Sequence, residues 1–221
     1  MSGNTVDDLT EDQQLERLKS WWAENGKAII AGIALGGAGL FGWNQWQASK
    51  DSAAMAASAQ FDKAAEASAA ADLTLLKQAV TALQDEHAGS PYVTQGQLQL
   101  AALHVQRGEM EEAESLLDAV FQASRGQPEQ AIIGLRLARV QLYRENGDAA
   151  LATLDAISGS RYASAVSELR GDILRKAGRD AEARAAYSDA LSDPGSPPVI
   201  DAGMVEMKRA SLATPESDEA S

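Results

Sequence analysis

The chain has 221 residues and a formal net charge of −13, from 32 acidic and 19 basic side chains, and it contains no cysteine. Nucleic-acid binding needs a concentrated basic face, so this composition argues against such a partner, and the lack of cysteine excludes disulfides, thiolate metal sites and cysteine nucleophiles. Abundant Ala, Leu, Gln and Glu with few Pro and aromatic residues predict an all-α fold.

The first predicted element is a single transmembrane helix over residues 28–46. Residues 28–43 are uncharged and mostly apolar. Trp22 and Trp43 are 21 positions apart, which on a helix is about 31 Å and matches a hydrocarbon core of about 30 Å. The four tryptophans of the chain flank this run, where aromatic side chains anchor a helix at both membrane interfaces: Trp21, Trp22, Trp43 and Trp46.

The basic residues around the span predict its orientation. Arg17, Lys19 and Lys27 precede it, and only Lys50 follows closely. The positive-inside rule then places residues 1–27 in the cytoplasm and the rest of the chain on the opposite side of the membrane. Two alternatives remain open, a cleaved signal peptide and a buried helix of a soluble domain, although the paired tryptophans fit neither well.

The span is rich in glycine. Gly32 and Gly36 form a GxxxG motif, and Gly39 lies on a neighbouring part of the same helix face. Small residues let helices approach closely in lipid, so these three predict a face that docks against another membrane helix. The alternative is that glycine is simply common in membrane helices. A homodimer of the chain is a further possibility.

The repeat domain is predicted over residues 48–195. Residues 48–71 read as one Ala-rich helix, and the segment after Asp72 reads as a second helix that could complete a first hairpin. The next unit begins at Ser90, an N-cap, with Pro91 at the first helical position.

Three later segments align with one another: LQLAALHVQRGEMEEAESLLDAV, LRLARVQLYRENGDAALATLDAI and LRGDILRKAGRDAEARAAYSDAL. In each segment a small residue is followed 12, 16 and 19 positions later by small or apolar residues: Ala101, Ala113, Leu117 and Val120; Ala138, Ala150, Leu154 and Ile157; Gly171, Ala183, Tyr187 and Ala190. Small residues where two helices cross allow axes about 8 to 10 Å apart. The pattern therefore predicts stacked helical hairpins.

The units begin 37 and 33 residues apart, close to the roughly 34 of a tetratricopeptide repeat, and the turns contain Gly108, Gly147 and Gly178. The pattern resembles that family, although the early Trp is missing and Arg170 stands where Leu is expected. The resemblance implies a tetratricopeptide-like solenoid, and an all-helical bundle without repeats is the alternative.

A stacked solenoid needs a terminal cap, which we predict over residues 196–213 with Val199, Met204, Met207 and Leu212 as its apolar positions. The acidic segment 214–221 is predicted to be disordered.

No motif in the sequence suggests a reaction. The two histidines, His87 and His104, have no partner at metal-ligand spacing, and neither a nucleophile elbow nor a phosphate loop occurs. We therefore expect no cofactor, no metal and no enzymatic activity.

A solenoid instead offers an inner surface that can hold a peptide. Repeat position assigns ten residues to that surface: Leu98, Ala102, Val105, Leu135, Arg139, Leu142, Tyr143, Glu168, Asp172 and Arg175. Arg139 and Tyr143 are the predicted anchors. The alternative is that these residues only pack the superhelix or face water.

A more specific resemblance rests on WWAENGK, a Gly-rich span ending in GW, and LRLARVQL, LATLDAI, LRGDIL and EMKRASL in that order. Over residues 21–212 the chain resembles the YfgM-like family of ancillary SecYEG translocon subunits. The resemblance implies a single-pass inner-membrane protein with a periplasmic repeat domain. It also implies association with SecYEG and a PpiD-like chaperone, and handover of secretory clients.

Two functions of different class follow. The first is a membrane-tethered module that couples the translocon to periplasmic chaperones. The second is a structural adaptor of another cell-envelope complex, whose repeats bind one fixed partner.

Overall fold

The computed structural model describes residues 11–157, 159, 161–192 and 199–212. Within these ranges the chain forms nine α-helices and no strand: α1 Glu11–Ala69, α2 Leu73–Glu86, α3 Pro91–Gln106, α4 Met110–Ala123, α5 Gln130–Tyr143, α6 Gly147–Asp155, α7 Ala163–Lys176, α8 Asp180–Ser192 and α9 Ala202–Ala210. The prediction of an all-α fold is confirmed for this part of the chain. The predicted disordered segment 214–221 and both ends of the predicted cap lie outside the described residues.

The chain divides into two compact units, Met1–Ala56 and Ala57–Ser221. The first consists, over its described part, of the N-terminal portion of α1. Of the helices that the structure describes, α1 is long and apolar enough to cross a membrane, with a window of 18 residues at a mean hydropathy of 1.3. Residues 28–49 carry no formal charge, and on a helix they extend about 33 Å.

The second unit is built from helical hairpins whose spacing matches the sequence pattern. All twelve aligned positions of the three segments are buried, from Ala101 in α3 to Ala190 in α8. The helices of each pair, α3 with α4, α5 with α6 and α7 with α8, are extensively in contact. The predicted hairpins are therefore present, because the small residues lie where the two helices of each pair meet.

The same spacing extends the array by one full hairpin at its N-terminal end. Before the first segment, Ala64 is followed 12, 16 and 19 positions later by Leu76, Val80 and Leu83, and all four are buried. The end of α1 and α2 thus form a complete hairpin, packed on α3 through the stacked rings of Phe61 and Tyr92, whose centroids are 5.1 Å apart.

The helix ends in the array have a common geometry. In four turns a residue with positive φ ends the first helix: Ala71, Gly108, Glu145 and Gly178. One residue later, a backbone N–H donates to the carbonyl five positions back at 2.9 Å each time, as from Glu109 to His104. This bond closes the helix ends in the manner of a Schellman motif.

The third of these turns corrects a prediction. Gly147, expected in the turn, is the first residue of α6. The left-handed position belongs to Glu145, where φ is +63°. Its side chain reaches Lys176 at 3.7 Å but is largely exposed, so this pair contributes little to offset the backbone strain.

The cap is a half-repeat, and its packing also differs from the prediction. Val205 of α9 is fully buried, 34 positions after Gly171, so α9 occupies the place of the next first helix. Leu212 is buried as expected, but Val199, Met204 and Met207 are exposed. Helical periodicity allowed either face of this short segment to pack, and the face of Val205 is the one in the core.

At its helix crossing, the third hairpin has a smaller residue on the first helix and a larger one on the second than the hairpin before it. Where the second has Ala138 facing Leu154, the third has Gly171 facing Tyr187, and both of these are buried. A Cβ built on Gly171 would overlap the ring of Tyr187 and lie 2.9 Å from its Cζ. Because a packed interior tolerates little added volume, the missing side chain at residue 171 makes room for the ring.

We predict that Gly171→Ala destabilises the repeat unit by about 2 kcal/mol, since overpacking outweighs the helix propensity that Ala adds. Adding Tyr187→Leu, which recreates the pair of the second hairpin, should recover most of the loss. Far-UV circular dichroism during urea unfolding of the full-length protein in mild detergent measures both. If Gly171→Ala left the stability unchanged, the ring of Tyr187 could not be held in this position.

Candidate binding surfaces

The N-terminal helix presents a broad apolar surface. Ile33, Leu35, Leu40 and Phe41 are each exposed over 70–75% of their surface. Exposed apolar area of this extent is unfavourable in water, at roughly 25 cal/mol per Å². The helix is therefore suited to lipid or to a partner in lipid.

The predicted interface anchors lie at both ends of this surface. The four tryptophans are exposed over 48–61% of their surface. Trp43 and Trp46 are adjacent, with ring centroids 5.0 Å apart, and Lys50 Nζ lies 3.8 Å from the centroid of Trp46. A cation over an indole beside a second indole is a polar and aromatic cluster suited to the lipid headgroup region.

The predicted glycine face is open along its length. A Cβ added at Gly32, Gly36 or Gly39 would have no atom within 4 Å outside the helix's own backbone. The backbone is thus accessible there to the close approach of a second helix.

Within the repeat unit, four of the predicted inner-surface residues come together. One cleft between α3 and α5, with a volume of about 410 Å³, is lined by Leu98, Ala102, Val105 and Arg139. Buried Ala101, Leu117 and Val140 form its base.

Arg136 also lines this cleft, and sequence reasoning missed it. It lies three positions before Arg139, on the same face of α5. That spacing was the signal that could have found it.

The other predicted residues lie elsewhere. Leu142 lines a separate cleft with Gly147 and Ile173. Tyr143 and Arg175 are exposed, and neither lines a cleft described for this unit. Leu135, which was assigned to the inner surface, is buried in the core. Its position faces inward because α5 is covered on more sides than the repeat pattern alone suggested.

Asp172 belongs to an ionic cluster that includes the cap. Lys208 of α9 donates to Asp172 Oδ2 at 2.8 Å and to Glu168 Oε1 at 2.7 Å, and Tyr187 donates to Asp172 Oδ1 at 2.8 Å. The two contacts of Lys208 join residues 36 and 40 positions apart, which no local sequence pattern could reveal.

The cluster shifts two pKa values upward. Burial and the adjacent Asp172 carboxylate raise the pKa of Tyr187 well above its usual range. Burial alone would lower the pKa of Lys208, but hydrogen bonds and charge from Asp172 and Glu168 outweigh it and raise that pKa. Lys208 therefore stays charged and bound across the physiological range.

His104 has a structural contact. It is buried, and its Nδ1 lies 2.6 Å from Oε2 of Glu109. The other oxygen of that carboxylate, Oε1, accepts a hydrogen bond from Arg107 at 3.0 Å. These hydrogen bonds, first from Arg107 and then from His104, lower the pKa of Glu109. Among the residues that the structure describes, no group of His, Asp and Glu is arranged to hold a metal ion.

Comparison with known proteins agrees with the helical repeats. Residues 19–214 match the family model of a tetratricopeptide repeat-like domain. The chain is 32% identical over 198 residues to the Ancillary SecYEG translocon subunit of Escherichia coli K12, covering 90% of this chain and 94% of the relative. The Haemophilus influenzae protein of the same name is 30% identical, covering 82% of this chain and 89% of the relative.

Among solved structures, a Podosopora anserina protein with nearly identical TPR-like repeats is similar, with a TM-score of 0.53 and 16% identity. The match covers 69% of this chain and 82% of that chain. At this identity the likeness concerns the fold alone.

We predict that Lys208→Met lowers the stability of the repeat unit by about 2 kcal/mol at pH 8, because two partly buried carboxylates lose their cation. Since the pKa of Lys208 is raised by folding, its contribution is present below the unfolded pKa of about 10.4 and is lost as pH rises through the folded pKa. The difference between native protein and variant should therefore persist up to about pH 10 and narrow at higher pH. Thermal unfolding followed by circular dichroism tests this, and a difference that stays constant with pH would contradict it.

Proposed function

This chain belongs to the YfgM-like family of tetratricopeptide repeat-like ancillary SecYEG translocon subunits, and from that premise we propose that it is itself an ancillary subunit of a SecYEG translocon. The observation that carries the proposal is the similarity to the E. coli subunit, which extends over 94% of that relative. A match of that length includes both the apolar helix and the repeats, so it does not reflect a shared repeat domain alone.

In this proposal the N-terminal helix anchors the protein in the inner membrane as a single span. The uncharged run 28–49, the exposed apolar residues around Phe41 and the cluster of Trp43, Trp46 and Lys50 support the anchor. The excess of basic residues before the span supports a cytoplasmic N-terminus and a periplasmic repeat unit.

The anchor docks on the channel through the face of Gly32, Gly36 and Gly39. Lipid tails are as apolar as leucine, so helices in a membrane associate through close packing rather than through the hydrophobic effect. The open backbone at these glycines supports this role for the face.

The repeat unit then binds proteins near the channel exit. We assign to it secretory or outer-membrane protein clients and a PpiD-like periplasmic chaperone, with the inner clefts as the contact surface. A tetratricopeptide-like scaffold of this kind acts by binding, so we assign no reaction and no cofactor to it.

We predict that purification of the tagged full-length protein in mild detergent recovers channel subunits and a PpiD-like chaperone. A Gly36→Leu/Gly39→Leu variant should recover at least about tenfold less channel, because leucine side chains push the helices apart. Gly37→Leu is the matched control, since Gly37 lies on the other side of the helix. Recovery of a different envelope complex with the native protein would contradict the proposal and support the adaptor function.

We predict that the two sides of the span label differently in intact cells. Because the chain contains no cysteine, Ser20→Cys and Ser52→Cys each introduce a single thiol. A membrane-impermeant maleimide should label Ser52→Cys directly and Ser20→Cys only after the inner membrane is permeabilised. The reverse pattern would overturn the proposed orientation.

A further inference from the structure

We propose that the cleft between α3 and α5 binds a short client segment in which apolar side chains stand beside carboxylates. The inference rests on the proposed function, which brings unfolded secretory chains to the repeat unit, and it adds the class of segment that this unit selects. Its specificity residues are Arg136 and Arg139.

The cleft has an apolar base and a cationic edge. Leu98, Val105 and the buried side chains beneath them form a surface for aliphatic or aromatic groups. Arg136 and Arg139 are exposed and one helical turn apart, so their guanidinium groups stand on the same edge. A guanidinium binds a carboxylate through two parallel hydrogen bonds, which makes this edge a site for acidic side chains.

The charge of the cleft is opposite to that of the chain. The protein carries a net charge of −13, yet none of the residues lining this cleft is acidic. In the part of the chain that the structure describes, no carboxylate forms an ion pair with Arg136 or Arg139. Within the described residues, the guanidinium groups of Arg136 and Arg139 therefore remain available to a ligand.

The acidic residues of the inner surface are already paired with a cation of the chain itself. Asp172 occupies in the third hairpin the position that Arg139 occupies in the second, and Glu168 is its neighbour one turn back. Both are bound by Lys208 of the cap. In the folded chain Lys208 therefore occupies the carboxylates of the inner surface, whereas Arg136 and Arg139 stay exposed to solvent. This arrangement favours an acidic ligand over a basic one.

Peptide binding to the full-length protein in mild detergent tests the proposal. The probes are the fluorescein-labelled peptides GSDLELDLGS, GSNLQLNLGS and GSKLKLKLGS, which share their leucines and differ in charge, with binding followed by fluorescence anisotropy. The acidic peptide should bind about tenfold tighter than the neutral one, and this preference should fall as salt is raised. The basic peptide should bind most weakly.

Three variants locate the site. Arg136→Gln/Arg139→Gln should remove the preference for the acidic peptide, whereas Lys77→Gln/Arg125→Gln, which makes the same change in net charge at exposed positions, should keep it. Ala102→Trp should weaken the acidic and the neutral peptides alike, because it fills the cleft without changing its charge. Circular dichroism confirms that each variant is folded.

Equal affinity for the acidic and neutral peptides, or an unchanged preference in Arg136→Gln/Arg139→Gln, would overturn the proposal. So would a disulfide-linked dimer through Ala102→Cys, which would show a second copy of the chain in the cleft. Channel subunits should still co-purify with Arg136→Gln/Arg139→Gln. If channel subunits fail to co-purify with the native protein, that result would instead count against the translocon function, independently of the peptide affinities.

Discussion

The repeat unit depends on the close crossing of two helices within each hairpin. Every crossing has a small residue on the first helix, at Ala64, Ala101, Ala138 and Gly171, and all of them are buried. A larger side chain there would separate the axes, and the residues 16 and 19 positions later would no longer reach the next hairpin. The core is therefore built one crossing at a time, and its continuity depends on each of them.

The crossings are not interchangeable in detail. At Gly171 the first helix has no side chain, and Tyr187 fills the space from the second helix. That exchange brings a phenol hydroxyl to Asp172, which in turn helps to bind Lys208 of the cap. The pairing of a small with a large residue at this crossing thus positions Tyr187 to contact the ionic cluster that holds α9. That cluster includes the acidic residues of the inner surface.

The N-terminal part of α1 follows different physics. Its apolar side chains are exposed where those of the repeat unit are buried. Its glycines from Gly32 to Gly42 have open space around them, whereas an added Cβ at Gly134 or Gly171 would meet neighbouring side chains. In water such a surface is costly, but in lipid the solvent is itself apolar and the backbone hydrogen bonds are satisfied within the helix. The two units are therefore suited to two solvents, and this division fits a protein that works at a membrane surface.

The sequence by itself determined the class of the fold, the apolar helix and the register of the hairpins. These features depend on local spacing, since a small residue and its partners 12, 16 and 19 positions later belong to one hairpin. Repeat position also assigned Leu98, Val105 and Arg139 to a common surface, because equivalent positions of stacked hairpins face the same side.

Only the tertiary structure decided which face of α9 is buried, where the left-handed residue of the turn between α5 and α6 lies, and which charges are paired. Lys208 meets its carboxylates across 36 and 40 positions, and Arg136 joins Leu98 only because α5 stacks on α3. Contacts between different hairpins depend on how the units stack, and stacking is a property of the assembled surface rather than of any one segment.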